Sequence, residues 1–218
     1  MLKINNIVKI DKKFRRKNFF DAEKLSKSIL KKSKNKSDGF LETGNILKLL
    51  GEREISLNYY KKAVKINSKN SDAYNQIGIS YRVKGNLKKA QINFEKSIKA
   101  WPMNSDAFHN LGNVFKEKKN YSKAINCYKK VIKLHSLKDK NKNYLVKPII
   151  SISKILECIY FSKGVKSYMA KLKKISKSDK CNIRLATMSS YVCSKHKIHN
   201  PYPFCKNPLN FFYTVNLK

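Results

Sequence analysis

The sequence predicts an all-α protein, a stack of helix–turn–helix units, and three observations predict it. One pattern is written three times between Ser37 and Ser136 at a fixed spacing of 34 residues, without insertion or deletion. Glycines (Gly44, Gly78, Gly112), small residues (Ser56, Ala90, Ala124) and aromatics (Phe40, Tyr74, Phe108; Tyr60, Phe94, Tyr128) all recur in that register. Within each unit, two stretches of helical apolar spacing flank a break at Gly51, Gly85 or Lys119, the periodicity and punctuation of paired helices.

Taken in order, residues 1–18 are basic and without period. Residues 19–36 place Phe19, Ala22, Leu25 and Ile29 where second-helix core positions fall. This predicts a half-repeat helix covering the N-terminal face of the stack. The three units span 37–70, 71–104 and 105–136. In the middle one, Ala73 to Lys84 presents Tyr74, Ile77 and Tyr81 at helical spacing; after Gly85-Asn86, Leu87 to Ala100 resumes with Ala90, Phe94, Ser97 and Ile98. Pro102 ends that helix. Small residues at 78 and 90 let the two helices approach closely, and bulky ones at 74, 77, 81 and 94 are expected to fill the space between units. Asp38, Asp72 and Asp106 stand at helix starts, where a carboxylate is expected to cap free amides.

Beyond Ser136, a charged linker leads to a helix from Pro148 to Ser162, a break at Gly164 and a second helix from Val165 to Ile175. Residues 137–178 thus read as a degenerate helical pair, with Leu156-Glu157 where a leucine–glycine pair belongs. In 179–218, Asp179 starts a closing helix to about Lys195, and from His199 an irregular tail carries Pro201, Pro203 and Pro208 among aromatics.

This period resembles the tetratricopeptide repeat family. The middle unit matches through Tyr74, Ile77-Gly78, Tyr81, Ala90, Phe94 and Pro102, and the third through Phe108, Leu111-Gly112, Phe115, Tyr121, Ala124 and Tyr128. The first departs, with Ile46-Leu47-Lys48 where an aromatic is usual and Ser56 in place of alanine. The resemblance implies a right-handed α-solenoid, here with a C-terminal helix and irregular tail, whose concave groove binds a peptide or partner segment. The helix positions facing that groove hold Asn45, Lys48, Gln76, Ile79, Arg82, Asn110, Asn113 and Lys116. Side-chain amides bond a peptide backbone in both directions. Asn110 matches the asparagine ladder of glycosyl-transferring members, Gln76 nearly so, and Glu42 departs. The carboxylate clamp of chaperone-binding members fits worse: Leu41 and Asp106 stand where cations are expected. Lys48, Arg82 and Lys116 form a basic line that favours an acidic ligand; the competing reading is a solvated polar face. The tail is similar to the hinge that precedes an iron and 2-oxoglutarate oxygenase domain in some bacterial repeat proteins, but no His-x-Asp follows here.

The formal charge is +35, from 49 basic and 14 acidic residues. It is spread along the chain, +10 over 1–36, +11 over 37–136 and +14 over 137–218, and only five of the bases are Arg. Lysine, asparagine and isoleucine together are what compositional bias writes onto solvated surfaces, so the charge argues solubility and non-specific nucleic-acid binding before any specific contact. Five cysteines without a secretory leader predict a reduced, cytoplasmic protein. The longest apolar run, Leu145 to Phe161, is broken by Lys147, Lys154 and Glu157, so no membrane span is expected. Cys181, Cys193, His196, His199 and Cys205 are zinc-ligand types at an unrecognised spacing; no metal or cofactor is expected. Phosphate-binding glycine loops and a Gly-x-Ser-x-Gly elbow are absent, and acids are scarce beyond Asp139. The sequence therefore predicts a non-catalytic scaffold binding a protein or peptide. The alternatives are a module of a truncated or split enzyme, oxygenase or glycosyltransferase-associated, or a basic RNA- or ribosome-associated protein.

Overall fold

A computed structural model describes Ser28, residues 35–136 and 148–178, and residues 192–193 and 195–197. Apart from those few residues, the expected half-repeat helix over 19–36, the closing helix from Lys180 and the tail from His199 lie outside the described residues. The described residues form helices and no strand: α1 (Lys36–Leu49), α2 (Arg53–Ile66), α3 (Ser71–Val83), α4 (Leu87–Ala100), α5 (Ser105–Glu117), α6 (Tyr121–Ser136) and α7 (Pro148–Ser178). The architecture is all-α. The chain divides into two compact units, 1–114 and 115–218.

In the first unit each first helix ends on a left-handed residue. Gly51 has φ 86° and Gly85 φ 76°. Glu52 N–H reaches Leu47 O and Gly51 N–H reaches Lys48 O, and the pattern recurs at Asn86→Tyr81 and Gly85→Arg82. This doubled closure satisfies carbonyls that a helix end leaves unpaired. In the second unit Lys119 makes the same turn at φ 58°, with Asn120 N–H on Phe115 O. A side chain in that conformation costs about 1–2 kcal/mol. Lys119→Gly is expected to stabilise the second unit by about 0.5–1 kcal/mol once glycine's own entropy is set against the relief. Thermal denaturation followed by amide exchange in α6 checks it.

The helix starts correct one expectation. Asparagines, not Asp38 and Asp72, cap them: Asn35 Oδ1 accepts from Ser37 N–H, Asn70 Oδ1 from Ala73 N–H, and, before Asp106, Asn104 Oδ1 from Ala107 N–H. The Asn70 and Asn104 amides also reach back one repeat. Asn70 Nδ2 donates to Ser37 Oγ (2.9 Å) and Asp38 Oδ1 (3.3 Å); Asn104 Nδ2 donates to Ser71 Oγ (2.8 Å) and Asp72 Oδ1 (3.3 Å). Ser37 and Ser71 in turn donate to the carbonyls of Ala63 and Ser97. One amide therefore caps its own helix and ties successive repeats together, leaving the aspartate as an acceptor.

Packing follows the glycine register. A Cβ on Gly44 would stand 2.5 Å from the Tyr60 ring and one on Gly78 2.6 Å from the Phe94 ring, so the two helices of a repeat meet backbone against aromatic face. Phe94 thus packs against Gly78 within its own repeat, and the gap between the first two repeats is filled as expected. That gap holds Tyr74, Ile77 and Tyr81 of the second repeat against Leu57 and Tyr60 of the first.

In the second unit, α6 packs on the first half of α7 through Ala124, Tyr128, Ile155 and Cys158. Leu156, Tyr168, Met169 and Leu172 form another cluster with Val192 and Cys193. On a straight helix Leu156 and Leu172 would lie about 24 Å apart, so α7 folds back, at Gly164 (φ 77°, ψ −178°). Gly164 follows Lys119 by 45 residues, one 34-residue period plus the 11 residues 137–147. That offset aligns Leu156-Glu157 with Leu111-Gly112.

Candidate partner-binding face

The site residues expected from sequence are half-buried on the first helices: Asn45, Lys48, Gln76, Arg82, Asn110 and Asn113 in the first unit, Lys116 in the second. The structure brings Lys48 and Gln76 together and ties Asn45 and Asn110 to residues outside that set. Lys48 Nζ donates to Gln76 Oε1 at 3.0 Å, Tyr60 Oη donates to Asn45 Oδ1 at 3.0 Å, and Asn110 Nδ2 donates to Asn75 Oδ1 at 3.0 Å. Asn75 is itself buried. Burial pushes the Tyr60 hydroxyl up to about 12 and holds the Lys48 ammonium below its ordinary value.

The Lys48 contact fixes which atom Gln76 presents. An ammonium has donors only, so Gln76 must turn its oxygen to Lys48, which leaves its N–H groups without a partner among the described residues. With Asn45 Oδ1 on Tyr60 and Asn110 Nδ2 on Asn75, Asn45 keeps its N–H groups and Asn110 its carbonyl oxygen without a partner among the described residues. Donors on α1 and α3 and an acceptor on α5 are thus held in place by their other atoms.

The basic line behaves differently from the expectation of three cations facing a ligand. Lys48 is engaged by Gln76. In the second unit Lys116 Nζ lies 2.7 Å from Glu157 Oε1, and Lys154 Nζ lies 2.9 Å from Glu157 Oε2. Burial works against both charges of the pair, yet the hydrogen bond and charge of Glu157 hold Lys116 above its ordinary value, and the two lysines hold Glu157 below the usual carboxylate value. A carboxyl depressed by folding stabilises above its unfolded pKa and loses that contribution as pH falls through its folded one; a raised lysine stabilises below its unfolded pKa and loses it as pH rises through its folded one. The triad therefore supports the second unit across the neutral range and weakens at both extremes. Glu157→Gln is expected to cost about 1–2 kcal/mol at neutral pH and to flatten the acid-side decline, read from amide exchange in α7 against pH.

Of the zinc-type residues, Cys181, His199 and Cys205 lie outside the described residues. Cys193 and His196 do not converge: the Cys193 thiol contacts Met169 Sδ at 3.8 Å, and His196 Nε2 meets Tyr160 Oη at 3.0 Å. Burial pushes the Cys158 thiol up to about 11, away from the range of a reactive thiolate. Among the described residues no group of three His, Cys, Asp or Glu is placed to hold a metal ion, and no helix is long and apolar enough to cross a membrane. The residues that sequence reasoning undervalued are Asn70 and Asn104, whose recurrence 34 residues apart was the available signal.

Family models described as tetratricopeptide repeat match residues 41–70, 59–92 and 105–136. No curated protein matches the chain significantly. Among solved structures, YrrB, described as a tetratricopeptide repeat protein with an unusual peptide-binding site, is similar at a TM-score of 0.59 and 18% identity, over 82% of this chain and 87% of that one. MamA is similar at a TM-score of 0.56 and 23% identity, over 78% and 96%. PilF of Pseudomonas aeruginosa is similar at 0.63 and 14%, over 94% and 92%. At such identities the likeness speaks for the fold, an α-solenoid of paired helices. With three matched segments and a backbone that repeats its turns and caps every 34 residues, residues 41–92 and 105–136 carry tetratricopeptide repeats.

Proposed function

We propose that this chain is a non-catalytic scaffold that holds an extended segment of a partner protein against the first helices of its repeats. The observation that carries the reading is the amide row: Asn45 and Gln76 with N–H groups to offer and Asn110 with a carbonyl, each anchored through its other atom. A peptide backbone needs such donors and acceptors whatever its side chains. Stacked repeats turn this face inward along a continuous curved surface. The peptide-binding site ascribed to YrrB supports the same use of the fold.

The test is selection from a displayed library of random peptides at about 0.5 M salt, where screening suppresses contacts made only by the basic surface. Asn45→Ala/Gln76→Ala/Asn110→Ala is expected to weaken the selected peptides at least about tenfold, as the loss of two or three hydrogen bonds would, with helical content retained. Failure to enrich any peptide, or indifference of the selected ones to the triple change, would overturn the reading.

A further inference from the structure

We infer that the second helices of the first unit, α2 and α4, form a docking face for a nucleic acid, held by its phosphate backbone and without reading of its sequence. The observation is how charge divides between the two helices of each repeat. Of the first helices, α1 and α3 hold equal numbers of bases and acids and α5 nets −1. Of the second helices, α2 and α4 each hold four bases against one acid, +3 apiece. In the second unit α6 has the same bias, with four lysines and no acid, +4.

Compositional drift toward lysine does not account for this division, because drift acts on every solvated position. The exposed charged positions of the first helices carry Asp38, Glu42, Asp72 and Glu117, with Lys36 the one exposed base. Every lysine of α2, α4 and α6 is exposed. The ammoniums also keep the repeat register. Lys62 lies 4.8 Å from the Tyr59 ring centroid and 5.8 Å from that of Phe40, and Lys96, one period on, lies 5.8 Å from that of Tyr74. Lys89 sits 5.5 Å from the centroid of Tyr81. Inside the second unit Lys123 sits 5.6 Å from that of Phe115. An ammonium drawn to a ring face is fixed in position, so part of the charge is presented at set points.

Charge complementarity selects a polyanion, and three details select a nucleic acid backbone. Lysine is a point charge suited to single phosphate oxygens, whereas bidentate base reading uses arginine, of which these helices hold only Arg53. The rings beside the lysines are covered by them, which leaves little platform for base stacking. Docking on a membrane surface calls for apolar side chains to insert, and the exposed large hydrophobics of α2 and α4 are Ile66 and Ile92 alone.

The experiment uses the full chain and a fluorescent DNA duplex of about 20 base pairs, with anisotropy measured across salt concentrations. Lys61, Lys65, Lys88 and Lys99, exposed and not seated on rings, are changed together to Gln. A control removes the same charge from exposed positions off α2, α4 and α6, Lys36, Lys69, Lys163 and Lys166→Gln. The second-helix set is expected to weaken binding at least about tenfold and to flatten the slope of log K against log salt by about 2–4. The control is expected to change affinity less than about threefold, and Lys→Arg at the first four positions to retain it, since phosphate contact asks only for charge. Two duplexes of unrelated sequence should bind alike. Equal losses in both Gln sets would leave net charge alone and overturn the proposal. So would failure of the native chain to bind the duplex, a strong sequence preference, or capture by phosphatidylserine vesicles in place of the duplex.

Discussion

Asn104→Ala is expected to destabilise the first unit by about 2–4 kcal/mol, the largest effect of any polar truncation there. The side chain is 2% exposed, so water does not replace what it gives up. Its oxygen caps α5 at Ala107 N–H, and its nitrogen bonds Ser71 Oγ and Asp72 Oδ1 of the preceding repeat. The cap alone is worth about 1 kcal/mol, and the buried groups left behind add about 1–3 kcal/mol. Asn86→Ala gives the comparison, because Asn86 caps α4 at Lys89 N–H on an exposed surface and ties nothing else: about 1 kcal/mol.

Asn104→Asp separates the two roles. A carboxylate retains the cap but has no N–H to give, and it faces Asp72. The Asp72 carboxyl is already raised by burial; the Asn104 bond lowers it and the charge of Asp38 raises it again. A carboxyl raised by folding withdraws stability as pH rises through its folded pKa, so the Asn104→Asp chain should lose stability toward neutral pH more steeply than the native one. Amide exchange in α3 and the first turns of α5, in denaturant and against pH, reads all three variants. Asn104→Ala costing no more than Asn86→Ala would show that the tie between repeats contributes nothing beyond capping.

Gly78→Ala should cost about 1–3 kcal/mol although alanine is the better helix former. The propensity gain is about 1 kcal/mol. Against it, the added methyl meets Phe94 Cε1 at 2.6 Å and Cδ1 at 2.7 Å, and the ring cannot retreat because Phe94 is fully buried. Overpacking of this kind costs a few kcal/mol and must separate α3 from α4. Gly78→Ala/Phe94→Leu should cost less than the sum of its single changes, since the smaller side chain makes room for the methyl; additivity in the urea midpoints would mean that the contact is not what glycine is there for.

Much of the fold was legible because its determinants are local in the chain. Gly51 and Gly85 sit where a left-handed turn is needed, and Pro102 follows the extended Trp101 that ends α4. The small residue at 78 announced the close approach of two helices. The site was legible only as a set of positions. Asn45, Gln76 and Asn110 could be placed on one helix face by spacing, but their free atoms follow from Tyr60, Lys48 and Asn75, which lie 15, 28 and 35 residues away. Asp38 and Asp72 looked like caps because a carboxylate at a helix start does cap; Asn35, Asn70 and Asn104 take the place since an amide both accepts from its own helix and donates to the aspartate. Lys116 looked like one rung of a basic line, and Glu157, 41 residues on, pairs with it.

The sequence by itself determined the period, the helix pairs, their turns and the contrast in charge between first and second helices, since each depends on a residue type at a fixed offset along the chain. Tertiary structure alone decided which polar atoms are already bonded and which remain open to a partner. Hydrogen bonds and ion pairs are satisfied through space, and at the amide row the partners lie 15, 28 and 35 residues away, separations that no single offset in the chain supplies.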